Sequence, residues 1–92
     1  MPETVQLLTY DYVPDILQRR GPHRDGHLAL IARLHGEGKI LMAGAAGDPV
    51  DKGVFVLRDA DAVAAFVAED PYVAAGLVAA HRAEPWLVVT PL

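Results

Sequence analysis

The segment Asp70-Pro71-Tyr72-Val73-Ala74-Ala75-Gly76-Leu77 is the junction on which the order of the chain's elements depends. A proline biases the residue before it away from helical geometry, so a helix that arrives here must end near Glu69. Pro71 suits the first position of a new helical turn, and the Asp70 side chain suits its cap. Gly76 stops that turn. The segment therefore predicts the end of a helix, a short helical turn over 71–75 and the start of the last strand.

Apolar periodicity predicts the elements on either side of this junction. The preceding helix carries a buried stripe of Val63, Phe66 and Val67, with Asp59 or Asp61 as its cap. The remaining predicted elements are a strand over 5–10, a short turn or single helical turn at 16–17, strands over 40–44 and 53–57 joined by a loop, and a last strand over 77–89 interrupted at Pro85. That interruption predicts an edge strand or a bulge, because proline cannot donate to a neighbouring strand.

The other long helix is predicted to follow a loop over 19–22 and to end at Gly36 and Gly38. Its apolar stripe contains Leu28, Ile31, Ala32 and Leu34, and Asp25 is the expected N-cap or first-turn acid. The same helical face, extended backward, places His27 one turn before Ile31. Arg24 precedes His27 by three residues, so both side chains are expected on the side that points toward the sheet.

The predicted order β-α-β-β-α-β is that of a ferredoxin-like α+β sandwich. The strands are apolar on both faces, since Val54 and Val56 alternate with Phe55 and Leu57. Two helices can cover only one face of a four-stranded sheet, and the other face must be buried by something else. We therefore expect a homodimer through the sheet face, with a dimeric α/β barrel between the two sheets.

Composition narrows the possible functions. The 92 residues fit one domain over 1–92, and an apolar fraction of 52% favours burial against a partner. A net charge of -4 without a basic patch argues against a nucleic-acid partner. The chain has no cysteine, which excludes a thiol nucleophile and fits a reducing compartment. No stretch reaches the ~20 apolar residues of a membrane span, and we see no signal peptide, so a cytoplasmic location without membrane association is expected.

Four polar side chains are candidates for chemistry: Arg24, His27, Asp70 and Tyr72. In the predicted fold the first helix starts at the end of the first strand, and the segment after the second helix returns beside it. His27 and Asp70 are therefore expected to approach each other. A carboxylate that orients a histidine is a common general acid-base device near neutral pH. Arg24 would then hold an anionic or oxygen-bearing ligand group, and Tyr72 would close the pocket with its ring and hydroxyl.

Each candidate also has a purely structural interpretation. Asp70 can act only as an N-cap, His27 can be a core histidine bonded to the backbone, and Arg24 can be a solvated charge at a helix end. Tyr72 can belong to the core or to an interface. His23 and His27 are four residues apart, which fits a metal site on a continuous helix, but Gly26 argues against one and no metal is expected. The chain has no serine, which excludes a Ser-His-Asp triad.

Several motifs in this order resemble those of the YCII-related (YciI-like) family. They are Arg24-x-x-His27-Leu28, Gly38-Lys39-Ile40-Leu41-Met42-Ala43-Gly44, Asp70-Pro71-Tyr72, Ala75-Gly76-Leu77 and Pro85-Trp86. The resemblance implies a dimeric α+β barrel of ferredoxin-like subunits and an active site made of one histidine and one aspartate, here His27 and Asp70. A dehydrochlorinase within that family, acting on chlorinated hydroxyquinones, implies that the scaffold supports proton transfer or elimination.

Two hypotheses follow. In the first, the protein is an enzyme without a cofactor, of isomerase or lyase type. His27, held by Asp70, would transfer a proton on a small cyclic or oxygenated metabolite bound by Arg24 and Tyr72. In the second, it is a non-catalytic module that binds a small ligand or only forms a dimer. The first hypothesis requires the two side chains to lie within hydrogen-bond reach beside an open cavity.

Overall fold

The computed structural model describes residues 3–92 and has the predicted ferredoxin-like α+β fold. Its sheet is antiparallel, in the strand order β2-β3-β1-β4. The elements are β1 (Glu3–Tyr12), α1 (Ile16–Arg19), α2 (Gly21–Gly36), β2 (Ile40–Ala46), β3 (Lys52–Leu57), α3 (Ala60–Glu69), α4 (Pro71–Ala74) and β4 (Val78–Val88). No helix within this range is long and apolar enough to cross a bilayer.

The core lies between one face of the sheet and the helices α2 and α3. On β1, Leu8 faces Phe55 of β3 in register, and Tyr10 follows two residues later on the same face. Burial of apolar surface of this kind is the main stabilising term of a small fold. The buried residues of the cluster are Leu8, Tyr10, Leu30, Leu34, Ile40, Phe55, Leu57, Ala62 and Phe66.

The opposite face of the sheet, which we call the outer face, is also apolar at one end. The side chains at the odd-numbered positions of β1 and at the even-numbered positions of β3 point toward this face, because successive side chains of a strand point to opposite faces. A second hydrophobic cluster forms on this face from Val5, Leu7, Leu41, Val56 and Val88. Trp86 pairs with Val5 across β1 and β4 and remains 40% exposed. The predicted two-sided apolar pattern is therefore present.

The start of α2 differs from the sequence expectation. The loop predicted over 19–22 is wrong, because α1 runs to Arg19 and α2 begins at Gly21 with Pro22 in its first turn. Proline is tolerated there, since the first-turn N–H groups have no partner within the helix. Asp25 is not the cap: Arg20 occupies that position without a side-chain hydrogen bond.

The buried stripe of α2 agrees in part with the expected one. His27 and Leu34 are buried as predicted, and Ile31 is partly buried against the core. Leu30 is buried instead of Leu28 and Ala32, since Leu28 is 42% exposed and Ala32 is exposed. The spacing of apolar residues alone does not identify the buried face of α2, because the helix carries apolar residues on both sides.

The junction after α3 is as predicted. Asp59 caps α3 by accepting the Ala62 N–H at 2.9 Å, and Asp70 caps α4 by accepting the Tyr72 N–H at 3.0 Å. Gly76 has φ +74°, a conformation that favours glycine, and ends the short helix. β4 is an edge strand, as Pro85 indicates, but it runs through Pro85 without interruption. The irregularity in its pairing with β1 lies instead at Asp11 and Tyr12.

Candidate functional site

The Asp70 carboxylate is the centre of a buried polar network. One oxygen, Oδ2, accepts the hydroxyl of Tyr10 at 2.8 Å. The other, Oδ1, lies 2.8 Å from Nδ1 of His27 and 3.0 Å from the backbone N–H of Tyr72. Asp70 is 1% exposed and His27 5% exposed, so this carboxylate has exchanged water for three protein donors.

These contacts determine which nitrogen of His27 carries the hydrogen in the neutral ring. An ionised carboxylate only accepts hydrogen bonds, so the nitrogen facing Asp70 must donate. Nδ1 is therefore protonated, and Nε2 has a free lone pair. A carboxylate at Nδ1 also orients the ring and stabilises the imidazolium that forms when Nε2 takes up a proton.

Three elements bring this network together. Tyr10 comes from β1, His27 from the first half of α2, and Asp70 from the turn between α3 and α4. Gly26 allows the close approach of α2 to that turn, since a Cβ atom there would lie 3.2 Å from Cγ of Pro71. A side chain at residue 26 would therefore press on the residue that follows Asp70.

Aromatic rings surround the imidazole of His27. The Tyr72 ring stacks on it with a centroid distance of 3.7 Å and an interplanar angle of 4°. Phe55 and Phe66 approach it at 6.2 Å, the first edge-on and the second tilted. These contacts restrict the orientation of the imidazole ring, and the hydrogen bond to Asp70 restricts it further.

His27 forms part of the wall of an open cavity of about 260 Å³, which we call the site cavity. Its polar side chains are Tyr12, Arg20, Arg24, His27 and Tyr72, and the rest of its lining is Leu28, Ile31, Ala43, Gly44, Ala45 and Phe55. A few polar groups on a mostly apolar wall are typical of small-molecule sites, and this volume suits a small ligand.

The tyrosines at the site are held in their neutral form. Burial, followed by the charge of Asp70, raises the pKa of Tyr10 far above its ordinary value. Burial also raises the pKa of Tyr12, and Tyr72 and Asp70 add to the effect. The pKa of Tyr72 is raised by burial, against the opposing effect of the guanidinium groups of Arg20 and Arg24. At neutral pH all three hydroxyls therefore keep their hydrogen: Tyr10 donates it to Asp70, and Tyr12 and Tyr72 line the cavity.

The structure places all four residues predicted from the sequence at one site, in different positions. Asp70 lies behind His27 and does not line the cavity, while His27 and the buried Tyr72 form its inner wall. Arg24 is exposed and lines the same cavity. Within residues 3–92, no three His, Cys, Asp or Glu side chains come together as metal ligands would.

Sequence reasoning missed Tyr10, Tyr12 and Arg20. The signal for Tyr10 was present in the sequence. Tyr10 lies two residues after Leu8 in a strand and so shares its face, which points into the core, where a tyrosine hydroxyl requires a partner. Arg20 was assigned to a loop, whereas it lies directly between α1 and α2. Its position at the cavity depends on that helical junction.

Taken together, the arrangement meets the geometric requirements for general acid-base chemistry. The His27 imidazole has one nitrogen anchored by a carboxylate, and the residue lies at a cavity open to a ligand. Donors from two tyrosines and two arginines line the same space. Such a site can move a proton and stabilise an oxygen that gains negative charge.

Comparisons with known proteins identify the family of the chain and support its fold. The family model of the YCII-related domain matches residues 5–87. Among solved structures, the chain is similar to the 5-chloro-2-hydroxyhydroquinone dehydrochlorinase (TftG) of Burkholderia phenoliruptrix, in complex with 2,5-dihydroxybenzoquinone. The TM-score is 0.70 and the sequence identity 32%, over 89% of this chain and 92% of that one. Among curated protein sequences, none matches this chain.

Proposed function

The chain belongs to the YCII-related family, and on that premise we propose that it is a cofactor-independent enzyme that transfers a proton on a small cyclic, oxygenated metabolite. The observation that carries this proposal is the 2.8 Å hydrogen bond between Nδ1 of His27 and Asp70, made by a histidine that lines the site cavity. A histidine with only a structural role has no need of an adjoining cavity.

In the proposed reaction, Nε2 of His27 removes a proton next to a carbonyl group of the ligand. The electron pair of the broken bond moves toward the carbonyl oxygen, where Arg24 and the Tyr72 hydroxyl stabilise the negative charge. Asp70 stabilises the imidazolium. Isomerisation is complete when His27 returns the proton to another atom. In elimination, the electron pair instead expels a leaving group, and the imidazolium releases its proton to solvent.

The similarity to a dehydrochlorinase supports the lyase version of this chemistry. That protein is described as acting on 5-chloro-2-hydroxyhydroquinone and was solved with 2,5-dihydroxybenzoquinone. We propose that the present site takes a ring of comparable size bearing hydroxyl or carbonyl oxygens. The small volume of the site cavity and the polar side chains on its mostly apolar wall are compatible with such a ligand.

We also propose that the protein acts as a homodimer through the outer face of the sheet. The support is the apolar cluster of Val5, Leu7, Leu41, Val56 and Val88 together with the exposed Trp86. A sheet packed on a second sheet buries such a surface.

Solvent deuterium exchange tests the proton transfer without requiring a leaving group. We expect the protein to accelerate exchange of the ring hydrogens of 2,5-dihydroxybenzoquinone in D₂O, followed by proton NMR. Replacement of His27 by glutamine should reduce the rate by about 10²–10⁴-fold, the usual contribution of a general acid-base group. His35→Gln is the matched control, because His35 lies on the same helix and is exposed.

The same experiment examines the second candidate, a module that binds a ligand without turnover. That candidate is favoured by the cap that Asp70 provides to α4, a structural role it has in any case. If the wild-type protein binds the quinone in calorimetry but leaves the exchange rate unchanged, the enzyme proposal is wrong. A rate that His27→Gln does not lower, in a variant with a native circular dichroism spectrum, contradicts it equally.

A further inference from the structure

Two of the eight lysine and arginine residues differ from the rest in their surroundings. Within residues 3–92, Arg20 and Arg24 are the two that form neither an ion pair nor a side-chain hydrogen bond. The others have partners on the surface: Arg19 with Asp15, Arg33 with Glu37 and Glu69, Lys39 with Glu37, Lys52 with Asp51, Arg82 with Asp11, and Arg58 with the Gly38 carbonyl.

Both unpaired arginines line the site cavity, and no acidic side chain does. The Asp70 carboxylate lies behind His27 and is already bonded to three donors. The tyrosines on the wall also supply no negative charge, because the pKa values of Tyr12 and Tyr72 are raised and their hydroxyls stay neutral. A cavity with two positive groups thus exists in a chain whose net charge is -4.

The position of Arg24 on α2 is unfavourable for stability, whereas Arg20 also follows the last residue of α1. Arg20 precedes the first residue of α2, Arg24 lies at its fourth position, and the first turn contains no acid. The N-terminal end of a helix carries a partial positive charge, so acids are stabilising there and cations are not. The chain has the opposite arrangement at the start of α2, which borders the site cavity.

We propose that Arg20 and Arg24 make the site cavity selective for organic anions, namely small rings that carry an ionised carboxylate, phenolate or enolate oxygen. The two guanidinium groups bind that oxygen, and the helix N-terminus adds a field of the same sign. The reacting part of the ligand then faces His27; this last point rests on the proposed function, whereas the charge selectivity does not. Arg20 is the specificity residue that the proton-transfer scheme leaves unused.

A pair of ligands with the same shape and different charge tests the proposal. The probes are 2,5-dihydroxybenzoate and its neutral amide, 2,5-dihydroxybenzamide, titrated calorimetrically into the full-length protein. We expect the acid to bind about tenfold or more tightly than the amide at low salt, the difference typical of charge-assisted hydrogen bonds. Added salt should reduce this preference, because the cavity is open to solvent.

Substitution of the arginines identifies the source of the preference. The double variant Arg20→Gln/Arg24→Gln should bind acid and amide equally, and Arg20→Lys/Arg24→Lys should keep a reduced preference for the acid. Arg19→Gln is the matched control, since Arg19 is adjacent in sequence but pairs with Asp15 and does not line the cavity. A residue with only a structural role would not change the ratio of the two affinities.

Thermal unfolding provides an independent readout. Removing a cation from the start of α2 should leave Tm unchanged or raise it, so the glutamine variants should lose anion binding while keeping their stability. A lower Tm in these variants, with the preference for the acid intact, would mean that the arginines serve the fold.

The two proposals fail in different ways. Equal binding of acid and amide to the wild type, or no binding of the acid, overturns the inference about charge, whatever His27 does. A strong preference of the wild type for the acid supports the charge inference. If the His27→Gln variant then retains full deuterium exchange, the proposed proton transfer is contradicted while the charge inference stands.

Discussion

At the scale of single residues, Asp70 combines a structural and a chemical role. Its carboxylate caps α4, accepts the Tyr10 hydroxyl and holds Nδ1 of His27, with each partner on a different part of the chain. No described buried side-chain nitrogen or oxygen lacks a partner. Because every polar group in the network has a hydrogen-bond partner, removal of one donor leaves a buried acceptor without a partner and should lower the stability of the protein.

Tyr10→Phe removes one of the three donors without changing the ring. We expect the free energy of unfolding in urea to fall by about 1.5–3 kcal/mol, the usual value for a hydrogen bond to a charged group. Tyr12→Phe is the matched control, because Tyr12 lies two residues away on the same strand and its hydroxyl makes no protein hydrogen bond among the described residues. Equal losses in the two variants would contradict a special role for the bond to Asp70.

The raised pKa values of Tyr10 and Tyr12 predict a loss of stability in alkali. Between the unfolded pKa of about 10 and the higher folded value, the unfolded chain binds fewer protons, so the free energy of unfolding falls as pH rises. The slope approaches about 1.4 kcal/mol per pH unit for each such tyrosine. Urea titrations on either side of pH 10 measure it, and Tyr10→Phe should make it shallower. An unchanged slope in that variant would contradict the assignment.

At the scale of elements, the contact between α2 and the start of α4 decides whether His27 reaches Asp70. Gly26 packs against the ring of Pro71 at this contact, and a Cβ atom would come within 3.2 Å of it. Glycine inside a helix weakens it by about 1 kcal/mol relative to alanine. The chain tolerates that loss at a position in α2 where the helix packs against this turn.

Gly26→Ala tests this interpretation against Gly36→Ala on the same helix, where an added Cβ meets no atom within 4 Å. We expect Gly36→Ala to stabilise the protein by up to about 1 kcal/mol in urea unfolding. Gly26→Ala should gain less or nothing, and the NMR signal of the His27 Nδ1 hydrogen should weaken or shift as the bond to Asp70 lengthens. The same gain in both variants, with an unchanged His27 signal, would show that the contact is not tight.

At the scale of the whole molecule, the sheet is the feature that points beyond the single chain. Its helix side holds the core and the site network, and its outer face holds a separate apolar cluster. Small domains often complete their apolar burial by association. The proposed homodimer would supply the second layer that the outer face lacks.

Trp86→Glu tests the proposed homodimer on the outer face. We expect sedimentation to show a dimer for the wild type at micromolar concentration and a shift toward monomer for the variant, since a charge would be buried without a partner. Leu17→Glu is the control, because Leu17 has a similar exposure, 43% against 40% for Trp86, and lies on α1. A folded wild-type monomer, or the same dissociation in both variants, contradicts the proposed interface.

Much of the fold was predictable because it depends on local rules. Runs of apolar and β-forming residues identified the strands, and Asp70, Pro71 and Gly76 marked the short helix through backbone preferences that need no tertiary context. The errors occurred where local signals conflict. Gly21 and Pro22 can belong to a loop or to a first helical turn, and in the structure they begin α2.

For the site, the sequence by itself determined which residue types were available: a histidine and an arginine on one helix, and an aspartate before a proline. Only the tertiary structure decided that the His27 ring lies 2.8 Å from that carboxylate, that Tyr10 completes the network, and that Arg20 lines the same cavity. The physical reason is separation along the chain. His27 and Asp70 are 43 residues apart and Tyr10 and Asp70 are 60 apart, so the register of the sheet and the packing of α2 set these distances.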